Sequence, residues 1–154
     1  MVNRDYSDLF SAFNAHRVEF LIVGAYALAV HGHLRATKDL DLWVRPAEEN
    51  ATRVFRALQV FGAPTAGLTE GDFATPGVIL QLGFPPVRID ILTSIDGVTF
   101  EQAWPNRVAA SYDDIPVFVL SRVDLIANKK VSARLQDLAD VEALESEPEN
   151  DQDE

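Results

Sequence analysis

The chain has 154 residues, enough for one domain with a single substantial core and too few for two comfortable ones. Hydrophobic residues make up 47% of it, cysteine is absent, and the formal net charge is −11. Disulfides and thiolate metal sites are therefore excluded, and an acidic chain lacks the overall basic footprint of a general nucleic-acid binder. Six of the acids lie in residues 145–154, which carry no base; taking them from −11 leaves −5 on the body. Such a tail has little to bury and is expected to be disordered, with residues 1–144 forming the single domain. The longest apolar stretch, Phe20 to Val30, is about half the roughly 20 residues of a membrane helix. No secretory signal is visible at the start, so a cytoplasmic protein without a membrane partner is expected.

In chain order, Tyr6, Leu9, Phe10 and Phe13 share one helical face within Asp5 to Arg17. Glu19 to Val23 is a short β-branched run read as a buried strand, and it ends at Gly24-Ala25 before a helical stretch from Tyr26 to His31. A loop follows, from Gly32 to Lys38. Asp39 to Val44 alternates acid and apolar residues, the period of a half-buried strand. Pro46 is placed in the first turn of a helix running to about Phe61. Gly62 to Gly77 reads as a long surface loop. Val78 to Leu82 and Val87 to Leu92 are read as strands of one hairpin, and Thr99 to Trp104 as a short helix. Pro116 to Leu120 is the last expected strand. Ser121 caps a helix, with Asp124 at the capping-box position. Apolar spacing from Val123 to Leu144 predicts two packed closing helices, bent near Ser132. The sum is an α/β (α+β) domain: a mixed β-sheet flanked by helices, with helices at the C-terminal end.

Residues two apart in a strand point the same way, so Asp39 and Asp41 share a face while Leu40 and Leu42 enter the core. Two close carboxylates repel, which raises the cost of ionising both. A divalent cation such as Mg²⁺, which prefers carboxylate, phosphate and water oxygens, would relieve that cost. A lone Asp-x-Asp pair is ordinarily no more than a solvated strand. Here Arg88-Ile-Asp-Ile-Leu92 supplies a third acid, Asp90, flanked by core residues on an expected neighbouring strand. Upstream, Gly24-Ala25 between strand and helix sets backbone amides where a phosphate would be cradled.

Gly24, then Asp39-x-Asp41, then a third Asp after a long insertion resembles the DNA polymerase β-like nucleotidyltransferase superfamily. Val23-Gly-Ala-Tyr-Ala27, His31-Gly32, Arg35-Ala-Thr-Lys-Asp-Leu-Asp41, Asp124-Leu-Ile-Ala-Asn-Lys129 and Arg134-Leu-Gln-Asp-Leu-Ala-Asp140 are similar to small bacterial nucleotidyltransferases, among them toxins of toxin–antitoxin pairs. The resemblance runs from about Phe20 to Leu144. It implies a nucleotidyltransferase fold, two Mg²⁺ ions held by Asp39, Asp41 and Asp90, and attack of an acceptor hydroxyl on the α-phosphate of a nucleoside triphosphate, with pyrophosphate leaving. Asp90 would help activate that hydroxyl. The superfamily turn usually reads Gly-Gly or Gly-Ser; were Ala25 to need a left-handed backbone, its methyl would be costly.

Nucleotide contacts are expected from Gly24, Ala25, Arg35, Lys38, Lys129 and Arg134. Arg35 and Lys38 precede the acidic strand and would clamp phosphates, against the plain reading of solvated loop charges. Thr37 reads first as the residue leading into the strand. Lys129 and Arg134 owe their assignment to the resemblance. Asp137 and Asp140, one helical turn apart, read first as a surface charge patch and second as residues ordering Lys129 or Arg134. His31 and His33 lack the further ligands zinc needs, and Trp43 and Trp104 read as packing residues. The acceptor is a hydroxyl on RNA (tRNA to be tried first), protein or a small molecule, with an antitoxin as the expected partner of a toxin role. The competing readings are a catalytically silent nucleotide-binding or protein-interaction module, and a Mg²⁺-dependent phosphohydrolase or nuclease.

Overall fold

The computed structural model describes residues 3–32, 39–84, 87–132 and 135–146, and the side chains of Phe84, Val87, Leu135 and Gln136 are not described. Helix α1 spans Arg4–Ala15, capped by Asn3, whose side chain accepts from the Tyr6 amide at 3.1 Å. Its buried face is the expected one, with Leu9, Phe10 and Phe13 fully enclosed. The helix closes through Arg17, which takes the left-handed backbone (φ 58°) usually given to glycine, and the Val18 amide then reaches the Phe13 carbonyl.

Strand β1 (Phe20–Val23) follows, buried at every residue because it lies inside the sheet. That explains why its sequence is continuously apolar instead of alternating. Helix α2 is Gly24–Val30, β2 is Asp39–Val44 and α3 is Glu48–Phe61. Pro46 lies outside α3, whose N-cap is Ala47, which corrects the expectation that it opens the helix. The reason is the buried Asn50: its side chain accepts from the Glu19 amide (2.8 Å) and donates to the carbonyls of Glu19 and Arg45 (3.1 Å each). The residues before Ala47 are thereby tied to the start of β1. Gly62 closes α3 in the left-handed conformation.

The loop after α3 is not plain coil. Thr69 and Asp72 form a reciprocal cap on a 3-10 turn at Glu70–Ala74, which buries Phe73. Strands β3 (Ile79–Phe84) and β4 (Val87–Leu92) pair antiparallel as expected. After α4 (Phe100–Ala103), capped by Thr99, comes β5 (Val108–Tyr112), a strand not anticipated. It pairs with β6 (Ile115–Val119) through a two-residue turn in which Asp113 and Asp114 both have positive φ (51° and 63°). That is a type I′ geometry supplied without glycine.

The sheet order is β3-β4-β2-β1-β6-β5, with β1–β6 and β2–β4 parallel and the remaining pairs antiparallel. Helices α5 (Arg122–Ser132) and α6 (Leu135–Ser146) close the domain, so α6 runs two residues into the segment read as tail. Ser121 accepts from the Asp124 amide at 3.1 Å, as its capping role requires. Gly97 lies against α5: a β-carbon there would meet Val131 Cγ2 at 2.7 Å and the Ala127 carbonyl at 3.0 Å. No helix among the described residues is long and apolar enough to cross a membrane.

Candidate active site

Asp39 and Asp41 alternate along β2 with Leu40 and Leu42, which are almost wholly buried. On β4, Arg88 and Asp90 alternate in the same way with Ile89 and Ile91. The parallel register then sets Asp39 beside Arg88 and Asp41 beside Asp90. Two dipeptide-period patterns about fifty positions apart thus become a patch of three acids and one base on one face of two neighbouring strands. The antiparallel partner of Asp90 on β3 is Gln81, which extends the polar face toward the sheet edge.

A third element presses on this patch. Val23, the last residue of β1, pairs with Asp41, and the chain then turns into α2 at Gly24 with φ 72°. A β-carbon at Gly24 would lie 2.4 Å from Asp41 Oδ2. Glycine is required there twice over, by its backbone and by the carboxylate it touches. Ala25 is the first residue past this turn and is helical, so the feared left-handed alanine does not arise. The other end of α2 is tied down by His31, whose Nε2–H donates to the Leu120 carbonyl (2.9 Å). His31 is a structural residue.

The electrostatics follow from this crowding. Asp41 is pushed up from 3.8 to about 6, first by burial, then by the negative charges of Asp90 and Asp39 and its contact with Asp90, with Arg88 opposing. Among the described residues Arg88 is a counter-cation to these acids. Its Nη2 and Nε donate to Asp90 Oδ2 (3.2 Å) and Oδ1 (3.3 Å), and Nε lies 3.6 Å from Asp39 Oδ1. The sequence reading passed over Arg88, although Arg-x-Asp at strand spacing puts both side chains on one face. It passed over Tyr6 and Tyr26 as well. Their rings meet edge to face at 5.6 Å, and the Tyr6 phenol is pushed well up by burial, by Tyr26 and Tyr112, and in small part by Asp39.

The remaining expected contacts are distributed otherwise. Lys129 is buried in α5 and held by Asp140 (2.9 Å) and Asp137 (3.4 Å) of α6. Those two acids are therefore a buried clamp on Lys129, and the first reading of a surface patch is corrected: the turn of α6 that carries them faces α5. Arg35, Lys38 and Arg134, with Thr37 and His33, lie outside the described residues. Trp43 is a core residue packed edge to face on Phe100, as expected of a packing tryptophan.

Three carboxylates are the hard oxygen donors that Mg²⁺ takes, and the burial of Asp41 together with the like charges of Asp90 and Asp39 favours a cation. In donor chemistry they fit. Arg88 holds Asp90 and faces Asp39, and among the described residues no group of three or more His, Asp or Glu is positioned to hold a metal ion.

The model of a family described as "Nucleotidyltransferase of unknown function" (DUF6036) matches residues 3–147 of the chain. No curated protein matches it. Among solved structures, the lincosamide antibiotic adenylyltransferase LnuA with lincomycin bound superposes with a TM-score of 0.58 at 14% identity, over 94% of this chain and 98% of that one. The antibiotic-resistance factor ANT(2″)-Ia gives 0.58 at 12% identity, over 91% and 80%. A Thermotoga maritima protein assigned as a nucleotidyltransferase gives 0.55 at 15%, over 94% and 93%. At these identities the likeness is one of fold.

Proposed function

The chain belongs to the DUF6036 nucleotidyltransferase family, and from that premise we propose that it moves a nucleoside monophosphate from an NTP to a hydroxyl acceptor in a Mg²⁺-dependent reaction centred on Asp39, Asp41 and Asp90. The observation that supports this most is the pairing of Asp41 with Asp90 across two parallel strands, with Asp39 beside them and the β1–α2 turn pressed against Asp41. A purely structural sheet gains nothing from three carboxylates in one place, since each raises the cost of ionising the next.

In this reading the three acids would hold the cation, which when bound neutralises triphosphate charge. The backbone amides at Gly24 and Ala25 would face phosphate oxygens, with Arg35, Lys38 and Arg134 as further nucleotide contacts, whereas Lys129 is committed to Asp137 and Asp140. The acceptor hydroxyl oxygen forms a bond to the α-phosphorus, the bond to the bridging oxygen breaks, and pyrophosphate leaves. Asp90 helps to take the hydroxyl proton. Positioning and charge supply the rate, since no covalent intermediate is needed.

Two structural neighbours were solved with an antibiotic or an adenylylated antibiotic, lincomycin in one and adenylyl-2″-tobramycin in the other. Small-molecule hydroxyls therefore head the acceptor list for this chain, ahead of tRNA and protein. A toxin role would add an antitoxin partner, and a cytoplasmic setting suits NTP chemistry. The hold of Arg88 on Asp90 and Asp39 favours a second reading, a silent nucleotide-binding or interaction module of the same fold.

Calorimetric titration of each NTP, with and without Mg²⁺, tests the nucleotide site that transfer requires, and incorporation of labelled nucleotide into an acceptor separates transfer from silent binding. Metal-dependent binding to the wild type, weakened at least about tenfold in Asp39→Ala/Asp41→Ala, is the expected result. Failure of every NTP to bind the wild type would leave the silent interaction module, and binding with no transfer to any acceptor would leave the silent nucleotide-binding one.

A further inference from the structure

Both oxygens of Asp90 are already taken. Arg88 grips them side-on through Nε and Nη2, the two-point fork that only a guanidinium offers, while the same Nε faces Asp39 Oδ1. A divalent cation bound by these acids would draw on the same oxygens and lie beside the guanidinium's positive charge, which weakens its hold while the fork is in place. The hold is also of a releasable kind. The Arg88 side chain is 31% exposed and that of Asp39 39%, so the guanidinium can swing into water at small solvation cost. The geometry points to Arg88 as a resident counter-cation that competes with the divalent cation for Asp39 and Asp90. Cation binding and release of the Arg88 fork are then one event. Without the cation, Arg88 keeps the acids together; with it, the guanidinium is free to turn toward an anionic ligand. Arg88 is a positioning residue in this role, acting through the acids.

The inference rests on reading the acids as a cation site, and it is tested with metal alone so that it does not depend on NTP binding. Mn²⁺ affinity is measured by water-proton relaxation on the full chain for wild type, Arg88→Met and Arg88→Lys, with circular dichroism confirming that each is folded. Arg88→Met is expected to bind Mn²⁺ about tenfold or more tightly than wild type. Arg88→Lys keeps the charge but cannot grip both oxygens of Asp90, so it too should bind clearly tighter than wild type. If Arg88→Lys matched wild type while Arg88→Met bound tighter, the effect would be one of diffuse charge and the competition would be overturned. Equal affinities in all three, or no Mn²⁺ binding in any, would overturn it as well.

Should Arg88→Met fail to fold, the wild type alone suffices. Its Arg88 Nε–H resonance, assigned by its loss in Arg88→Lys or by backbone-linked correlation, should shift as Mg²⁺ is added. A resonance unmoved while Mn²⁺ relaxation shows the site filled would end the proposal. Mn²⁺ affinity that responds to Arg88 in a protein that binds no NTP would sink the transfer reading and leave this one standing.

Discussion

Among the described residues two clusters share a recipe, one cation facing two carboxylates, and use it to opposite ends. In the first, Lys129 of α5 meets Asp137 and Asp140 of α6, and all three side chains are less than a tenth exposed. In the second, Arg88 meets Asp39 and Asp90 at 31%, 39% and 11% exposure, and a third acid, Asp41, crowds in. The buried cluster joins two helices and has nowhere to relax, so its charges are fixed partners. The half-open cluster lies on two strands of the sheet, with three carboxylates to one guanidinium among the described residues, and Asp41 registers its burial and then the like charges beside it. What separates a lock from a site is therefore access and charge imbalance; the ion pairs themselves are alike.

The largest expected effect falls on the lock. Lys129→Met removes the buried lysine that Asp137 and Asp140 share at the α5–α6 contact and should destabilise the fold by about 3 kcal/mol, read from urea denaturation. Arg88→Met, in contrast, removes a cation that is itself 31% exposed and whose partner Asp39 is 39% exposed, and should cost less. Equal losses in the two variants would break the comparison. A Lys129→Met protein that remained stable but bound NTP poorly would move Lys129 from the lock to the nucleotide.

The same contrast explains what was legible in the sequence. Strand period is local, so Asp39-x-Asp41 and Arg88-x-Asp90 announce their shared faces from a few residues. The resemblance ordered them into one site. The parallel register that sets Asp41 against Asp90 is long-range, and no local pattern contains it. Strand β5 escaped because Val108-Ala-Ala-Ser-Tyr112 has small residues where β-branched ones would signal a strand, and its turn is Asp113-Asp114 without glycine. The burial of Lys129 was hidden for a similar reason: helical spacing shows Asp137 and Asp140 on one face of α6 but not that this face meets α5. Pro46 misled because the buried Asn50, a tertiary anchor, overrides a local helix-start preference.

A middle-sized effect tests the charge imbalance. The folded carboxyl of Asp41 holds its proton up to about pH 6, whereas in the unfolded chain it would lose it near 3.8. Between those values the folded state binds more protons, so this residue's contribution to stability falls as pH rises from about 4 to about 6 and stays low above that. The loss is on the order of 2–3 kcal/mol. Asp41→Asn should remove it, giving a flatter stability–pH curve and a metal-free protein more stable than wild type at pH 7. Urea midpoints across pH 4 to 8 for both proteins measure the difference. Parallel curves would show that neither burial nor the neighbouring acids hold a proton on Asp41.

The smallest expected change in stability bears on how the imbalance is held in place. Gly24→Ala must put a side chain on a left-handed backbone, costing about 1–2 kcal/mol. Its β-carbon, 2.4 Å from Asp41 Oδ2 in the present geometry, must also push the carboxylate aside. The protein should therefore melt only a few degrees lower, yet bind NTP with Mg²⁺ about tenfold or more weakly, because the acid that faces Asp90 has been moved. The neighbouring change Ala25→Gly is the control. Ala25 is helical, so glycine there costs about 0.5–1 kcal/mol in backbone entropy and touches no carboxylate. Its NTP affinity should stay within about threefold of wild type. If the two variants bound NTP equally well, the β1–α2 turn would be a packing element that happens to pass Asp41. A loss confined to Gly24→Ala would instead show that the turn sets the acid, and that alanine after the glycine is no obstacle to binding.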